Sequence, residues 1–201
     1  MSLDFVYLAS GSPRRRELLR QIGVSFRLLG TDLDESPLPG EAPAAYVSRL
    51  AAAKADAGWQ RSHGAGDAPV LAADTAVVLD GNIIGKPRDR DDAENMLLTL
   101  SGRTHEVMTA VALRSAVGNE IRLSRSLVTF RPVDAAEVRA YWDTGEPRDK
   151  AGAYAIQGFA AIFIAHLEGS YSGVMGLPLF ETAALLKSAG VATWQSAAVK
   201  P

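Results

Sequence analysis

The sequence predicts one α/β domain built on a mixed β-sheet. Apolar, strand-like runs alternate with helically spaced segments over the first half of the chain. A long antiparallel pair then interrupts that alternation. No proline- or glycine-rich linker divides the chain, and 201 residues are enough for one sizeable core, so residues 1–201 are expected to form a single domain.

Phe5 to Ala9 is an apolar run that reads as a buried strand. Ser12 suits an N-cap and Pro13 the first helical position, Leu18, Leu19 and Ile22 follow at helical spacing, and Gly23 is placed to end the helix. Ser25 to Leu29 reads as a second strand, followed by an acidic, proline-bearing loop with Asp32, Asp34, Glu35 and Glu41. Ala42 to Trp59 is alanine-rich and helical in its spacing, and residues 63–67 read as a flexible loop.

Val70 to Ala73 reads as a short strand ending at Asp74-Thr75. Ala76 to Leu79 and Ile83-Ile84 flank Asp80-Gly81-Asn82, a hairpin signature. Asp89 to Leu100 has acidic residues where a helix begins and Ser101-Gly102 where one ends. Arg103 to Leu113 alternates and is expected to pair with Ile121 to Phe130 across a turn at Gly118-Asn119. Asp134 caps a helix to Asp143, Ala160 to Ile164 reads as a late strand, and Pro178 to Ala189 as a closing helix capped by Gly190.

Composition excludes several classes of function. The formal net charge of −2 gives no general attraction to nucleic acid or to an anionic membrane. With no cysteine, disulfides, thiolate metal sites and a cysteine nucleophile are all ruled out. No apolar run approaches membrane-spanning length and the first residues lack the pattern of a secretory signal, so a cytoplasmic protein is expected. The nucleophile elbow, the Walker A loop and the dinucleotide GxGxxG are missing, and His63, His105 and His166 lack metal-ligand spacing.

Four polar clusters fall at predicted element ends. In the first, Ser10-Gly11-Ser12-Pro13-Arg14-Arg15-Arg16, helix N-terminal N–H groups and guanidinium forks gather at one turn, as anion sites require. An ordinary capped helix with solvated arginines would read the same way. The second is the loop bearing Asp34 and Glu35, where Glu35 taken alone reads as a solvated loop charge. The third combines Asp74-Thr75 with Gly85-Lys86-Pro87; an aspartate closing an apolar strand is costly unless it is hydrogen-bonded or functional. Lys86 would also pass as a surface lysine in a turn. The fourth runs from Asp149 to Gly158, followed by Glu168 to Tyr171. Carboxylates without cysteine or paired histidine suit a hard cation such as Mg²⁺ or Mn²⁺, and with Arg and Lys they are the components of phosphoryl chemistry.

In this order, the segments SGSPRRREL, ADT, GKPRD, LSGRTHEVMTAVAL, DKAGAYAIQG and GSYSGVMGLPL resemble the Maf-like nucleoside triphosphate pyrophosphatases over nearly the whole chain. The resemblance implies an α/β fold related to the inosine triphosphate pyrophosphatases, with an elongated mixed sheet flanked by helices. It further implies metal-dependent cleavage between the α and β phosphates, releasing monophosphate and pyrophosphate. GAYAIQG is similar to the subgroup acting on dTTP and UTP, and modified pyrimidine nucleotides fall within the same expectation. Ala155, Ala110 and Met175 depart from the family's more frequent residues, each by a small apolar change.

Carried across position by position, Asp74 matches the proton acceptor, and Arg14, Thr75 and Gln157 match specificity positions. Arg15, Lys54 and Lys86 match phosphate contacts, with Ser10 and Ser12 beside them in the anion turn. Glu35 matches a metal- or water-positioning residue, and Glu35 with Asp74 forms the expected site for Mg²⁺ or Mn²⁺. The expected partner is a nucleoside triphosphate, with no nucleic acid or membrane, in a homodimer. Two other functions stand beside this one: a nucleotide-binding regulator of cell division without turnover, and a phosphatase releasing single phosphates.

Overall fold

A computed structural model describes residues 3–62 and 68–195, so the expected loop at 63–67 lies outside the described residues. The first half alternates as β1 (Val6–Leu8), α1 (Pro13–Gln21), β2 (Phe26–Leu28), α2 (Pro43–Arg61) and β3 (Val70–Leu79). There follow β4 (Asn82–Ile84), α3 (Arg90–Leu100), β5 (Thr104–Ser115), β6 (Gly118–Phe130) and α4 (Ala135–Asp143). After short 3-10 segments come β7 (Ile164–Glu168), α5 (Tyr171–Met175) and α6 (Leu179–Ser188). Together these elements form the mixed α/β architecture that the sequence predicts.

The strands make one seven-stranded sheet in the order β2-β1-β3-β5-β6-β7, with β4 also on β3. β1 runs parallel to β2 and β3, whereas the β3–β5, β5–β6 and β6–β7 pairs are antiparallel. Successive side chains of a strand point to opposite faces, and β3 uses both. Leu71 and Ala73 join Leu18 and Leu19 of α1 and Leu185 and Leu186 of α6 in one core. Val70, Ala72, Ala76 and Val78 join Val47, Ala51 and Ala55 of α2 on the other face. Small side chains let α2 lie close to the sheet. At Gly58 a Cβ would stand 2.8 Å from Val70 Cγ1, so any larger residue would push the helix away. A third core joins the far halves of β3, β5 and β6 to α3 and α4 through residues such as Leu97, Phe130 and Tyr141.

Four expectations need correction. β3 does not end at Asp74-Thr75 but continues to Leu79, because partners inside the fold satisfy both polar side chains. The β5–β6 turn is Ala116-Val117, with Ser115 opposite Gly118, two residues before the expected Gly118-Asn119. Phe159–Phe163 is a 3-10 helix and the late strand starts at Ile164, since the Glu146 carboxylate accepts the Phe159 and Ala160 N–H groups and stabilises a helical start. Ser12 does occupy the N-cap of α1 with Pro13 behind it, yet its side chain makes no capping hydrogen bond; its own N–H donates to Ser10 Oγ.

One topological detail positions everything that follows. On the edge of β3 away from β5, β1 pairs with residues 70 and 71 and β4 with residues 77–79. Among the described strands, the intervening stretch with Asp74 and Thr75 has no neighbour on that side. The sheet splits there and leaves a cleft. No helix among the described residues is long and apolar enough to cross a membrane.

Candidate active site

The cleft is a cavity of about 520 Å³, and it gathers the ten residues to which the sequence assigns a site role: Ser10, Ser12, Arg14, Arg15, Glu35, Lys54, Asp74, Thr75, Lys86 and Gln157. Residues 147 positions apart in sequence thus face one space.

Strand alternation sends the two central residues in opposite directions. Asp74 points to the α2 face, where Lys54 Nζ donates to its Oδ1 at 2.7 Å. The same ammonium lies 2.6 Å from Glu35 Oε1, so Lys54 bridges both carboxylates. The Glu35 loop is tied to α2 by Tyr46, whose hydroxyl donates to the Glu35 carbonyl at 3.0 Å. Burial and the charges of Asp74 and Glu35 push the Tyr46 phenol up to about 12, so it remains a neutral donor.

Thr75 points to the α1 face and meets Arg15 and its register partner Thr109. Arg15 Nε donates to the Gly176 carbonyl at 2.8 Å, and its Nη atoms donate to Ser10 Oγ at 3.1 Å and Thr75 Oγ1 at 3.3 Å. Thr109 Oγ1 donates to the Gly173 carbonyl at 2.7 Å, which leaves Thr75 to donate its hydrogen to Thr109 across 2.9 Å. Thr75 Oγ1 therefore faces Arg15 purely as an acceptor. Arg14 and Lys86 contrast with Arg15: neither makes a hydrogen bond or ion pair among the described residues, and their charges stand available to an anion.

Charge in this cleft is finely opposed. Burial raises the Asp74 carboxyl above its ordinary value, and the cations Lys54 and Arg15 only partly offset it. Burial acts on Glu35 in the same sense, but Lys54, Lys86 and Arg15 outweigh it and hold Glu35 below the usual carboxylate range. The proton affinities of these two neighbouring carboxylates are thereby pushed apart, Asp74 upward and Glu35 downward.

Residues 5–189 match the Maf-like protein family. The chain belongs to that family. It is 52% identical over 199 residues to the dTTP/UTP pyrophosphatase of Nitrosomonas europaea, covering 94% of this chain and 96% of the relative. It is 56% identical over 200 residues to the protein of the same name from Aromatoleum aromaticum, covering 92% and 95%. Among solved structures, the nucleoside-triphosphatase / dITP/XTP pyrophosphatase of Mycobacterium abscessus covers 92% of this chain and 95% of its own, with a TM-score of 0.46 and 17% identity.

In this Maf-like chain the donors that could hold a cation are Glu35 and Asp74. No group of three His, Cys, Asp or Glu converges among the described residues. Two hard carboxylates in a cleft lined by cationic side chains fit Mg²⁺ or Mn²⁺, which bind through one or two carboxylates together with substrate phosphates. Such a donor set does not fit a soft metal.

The sequence reading missed Tyr46, which lines the cleft, and Thr109, which stands behind Thr75; both look like ordinary helix or strand residues in sequence, and Thr109 is recognisable only once β3 and β5 are in register. Asp149 and Lys150 stand in the fourth cluster without an assigned role; they pair with each other at the rim, and both line the cavity.

Proposed function

We propose that this chain is a cytoplasmic nucleoside triphosphate pyrophosphatase that converts dTTP and UTP to the monophosphate and pyrophosphate. One observation carries the reading: a buried Asp74, its carboxyl raised above the ordinary value, lies in the same cavity as five cationic side chains and a free amide at Gln157. Relatives of the chain at 52% and 56% identity carry the name dTTP/UTP pyrophosphatase, which supports the same conclusion.

In this reading the triphosphate chain lies along the Arg14-Arg15 turn, with Lys86 opposite. Arg15 arrives already oriented by three hydrogen bonds, so little freedom is lost when it meets phosphate. Asp74 accepts a proton from the attacking water. The water oxygen bonds to the α-phosphorus as the bond to the bridging oxygen breaks, and pyrophosphate leaves. The elevated proton affinity of Asp74 suits a general base, whose efficiency peaks when its pKa approaches the working pH. Lys54 keeps Asp74 and Glu35 together against their mutual repulsion. Glu35 and Asp74 would also hold a divalent cation, which when bound neutralises phosphate oxygens. Gln157 offers one donor and one acceptor, matching the alternating carbonyl and N–H edge of uracil or thymine. A mismatched base would leave those groups unpaired.

The test is to incubate the protein with a panel of nucleoside triphosphates and Mg²⁺ or Mn²⁺ and to separate the products. Monophosphate and pyrophosphate from dTTP and UTP, with ATP and GTP poor, is the expected result. Diphosphate and orthophosphate as first products would overturn the reaction assigned.

A further inference from the structure

Gln157 sits on a turn closed by Gly158 N–H donating to the Ala155 carbonyl at 3.0 Å. Its side chain is exposed in the cleft and makes no hydrogen bond among the described residues, so the backbone turn is what anchors the root from which the amide reaches into the cleft. Two side chains that the mechanism leaves unused hold both feet of that turn from behind. Ala155 N–H donates to the Tyr141 hydroxyl at 3.2 Å, and that hydroxyl donates to Glu146 Oε1 at 2.7 Å. The other side of the turn returns to the same carboxylate: Phe159 N–H donates to Glu146 Oε2 at 3.1 Å and Ala160 N–H to Oε1 at 3.4 Å.

Steric contact reinforces the hydrogen bonds. A Cβ on Gly158 would stand 1.9 Å from Glu146 Oε2, so the carboxylate is wedged directly against the turn. Tyr141 is itself immobilised, with 3% of its surface exposed and its ring edge-on to Phe163 at 5.3 Å between centroids. A phenol from the last turn of α4 and a carboxylate from the 3-10 turn that follows it thus satisfy three backbone N–H groups that flank Gln157, of which the buried Ala155 N–H would be costly to leave unpaired.

We propose that Tyr141 and Glu146 are positioning residues for base selection: they set the place of the Gln157 amide and, through it, the preference for pyrimidine triphosphates. The inference rests on the reading of Gln157 as the base-reading group. Discrimination by hydrogen bonding depends on placement to within a fraction of an ångström, so slackening either foot of the turn blurs it.

The experiment measures kcat/KM for dTTP and for ATP in the unmodified protein, in Tyr141→Phe, Glu146→Gln and Gln157→Ala, and in each of the first two combined with Gln157→Ala. Thermal unfolding of each variant is followed in parallel. Tyr141→Phe and Glu146→Gln should each lower the dTTP/ATP ratio by roughly tenfold, the factor that accompanies one neutral hydrogen bond. Most of that change should fall on KM for dTTP, and pyrophosphate should remain the product. In the Gln157→Ala background neither change should lower the ratio further, because residues acting through one group are not additive. If Tyr141→Phe does not fold, Glu146→Gln carries the same comparison with an isosteric side chain. A selective unmodified protein whose folded variants keep its ratio overturns this assignment alone, as does an undiminished effect in the Gln157→Ala background. An unmodified protein that turns over dTTP and ATP equally overturns the pyrimidine reading, and this assignment with it.

Discussion

Lys54 Nζ stands 2.7 Å from Asp74 Oδ1, a contact between side chains that are 11% and 9% exposed. A buried pair of this kind sets the proton affinity of the aspartate as well as its position. Lys54 lowers the Asp74 pKa against the larger, opposite effect of burial. Removing the ammonium in Lys54→Met should therefore move the acid limb of the kcat/KM–pH profile upward, since Asp74 then binds its proton more tightly. A profile whose acid limb stays in place or moves down would separate Asp74 from that limb.

Asp74→Asn keeps the shape of the side chain and removes its capacity to accept a proton. Turnover should fall by at least ~100-fold, the usual loss when a general base is removed. Circular dichroism and thermal unfolding should remain those of a folded protein. A folded variant with near-normal turnover would show that another group accepts the proton.

Arg15 and Lys86 are assigned to phosphates, which carry no base identity. Arg15→Ala and Lys86→Ala should raise KM for dTTP and UTP in the same proportion. Thr109→Val should share the Arg15 effect in milder form, because it breaks the chain of hydroxyls that orients Arg15, and Thr109→Ser should restore it. The deciding measurement is the set of KM values across bases; an effect confined to one base would place these side chains elsewhere on the ligand.

His105 should make the stability of the fold depend on pH. It is 2% exposed, its Nε2 lies 2.8 Å from the Tyr154 hydroxyl, and burial pulls it down to about 4 from its ordinary 6.5. A depressed pKa means that the unfolded chain binds the proton first as pH falls. Stability is therefore full above pH 6.5 and declines as pH drops from 6.5 toward 4, by up to ~3 kcal/mol on the scale of 1.36 kcal/mol per pKa unit. Below about 4.5 the ion-paired Glu41, held at about 2 by Arg49, adds a second decline. Denaturant midpoints measured between pH 4.5 and 6.5 should slope in the native protein and flatten in His105→Phe.

The sequence alone determined the fold class and most of the elements of this protein. Period-2 alternation placed β5 and β6, helical spacing placed α2 and α6, and the signals at Ser12-Pro13, Asp89 and Asp134 placed helix starts, because these depend on residues within a few positions of one another. The candidate site residues were legible because they fall in short, distinctive segments. Tertiary structure decided what those segments do to one another. Asp74-Thr75 looked like a strand end because two polar residues interrupt an apolar run; only the fold supplies Lys54 and Thr109, from 20 and 34 residues away, that allow β3 to continue through them. Residues 159–163 have strand-like composition, yet a carboxylate 13 residues earlier accepts their first N–H group and turns them helical. The cleft is likewise a matter of register, since β1 and β4 claim separate halves of one edge of β3 and leave Asp74 facing the gap. Local propensity acts over a handful of residues, whereas partners for buried polar groups come from wherever the chain returns. That difference in range is why Gln157 was visible in the sequence and the Tyr141–Glu146 pair behind it was not.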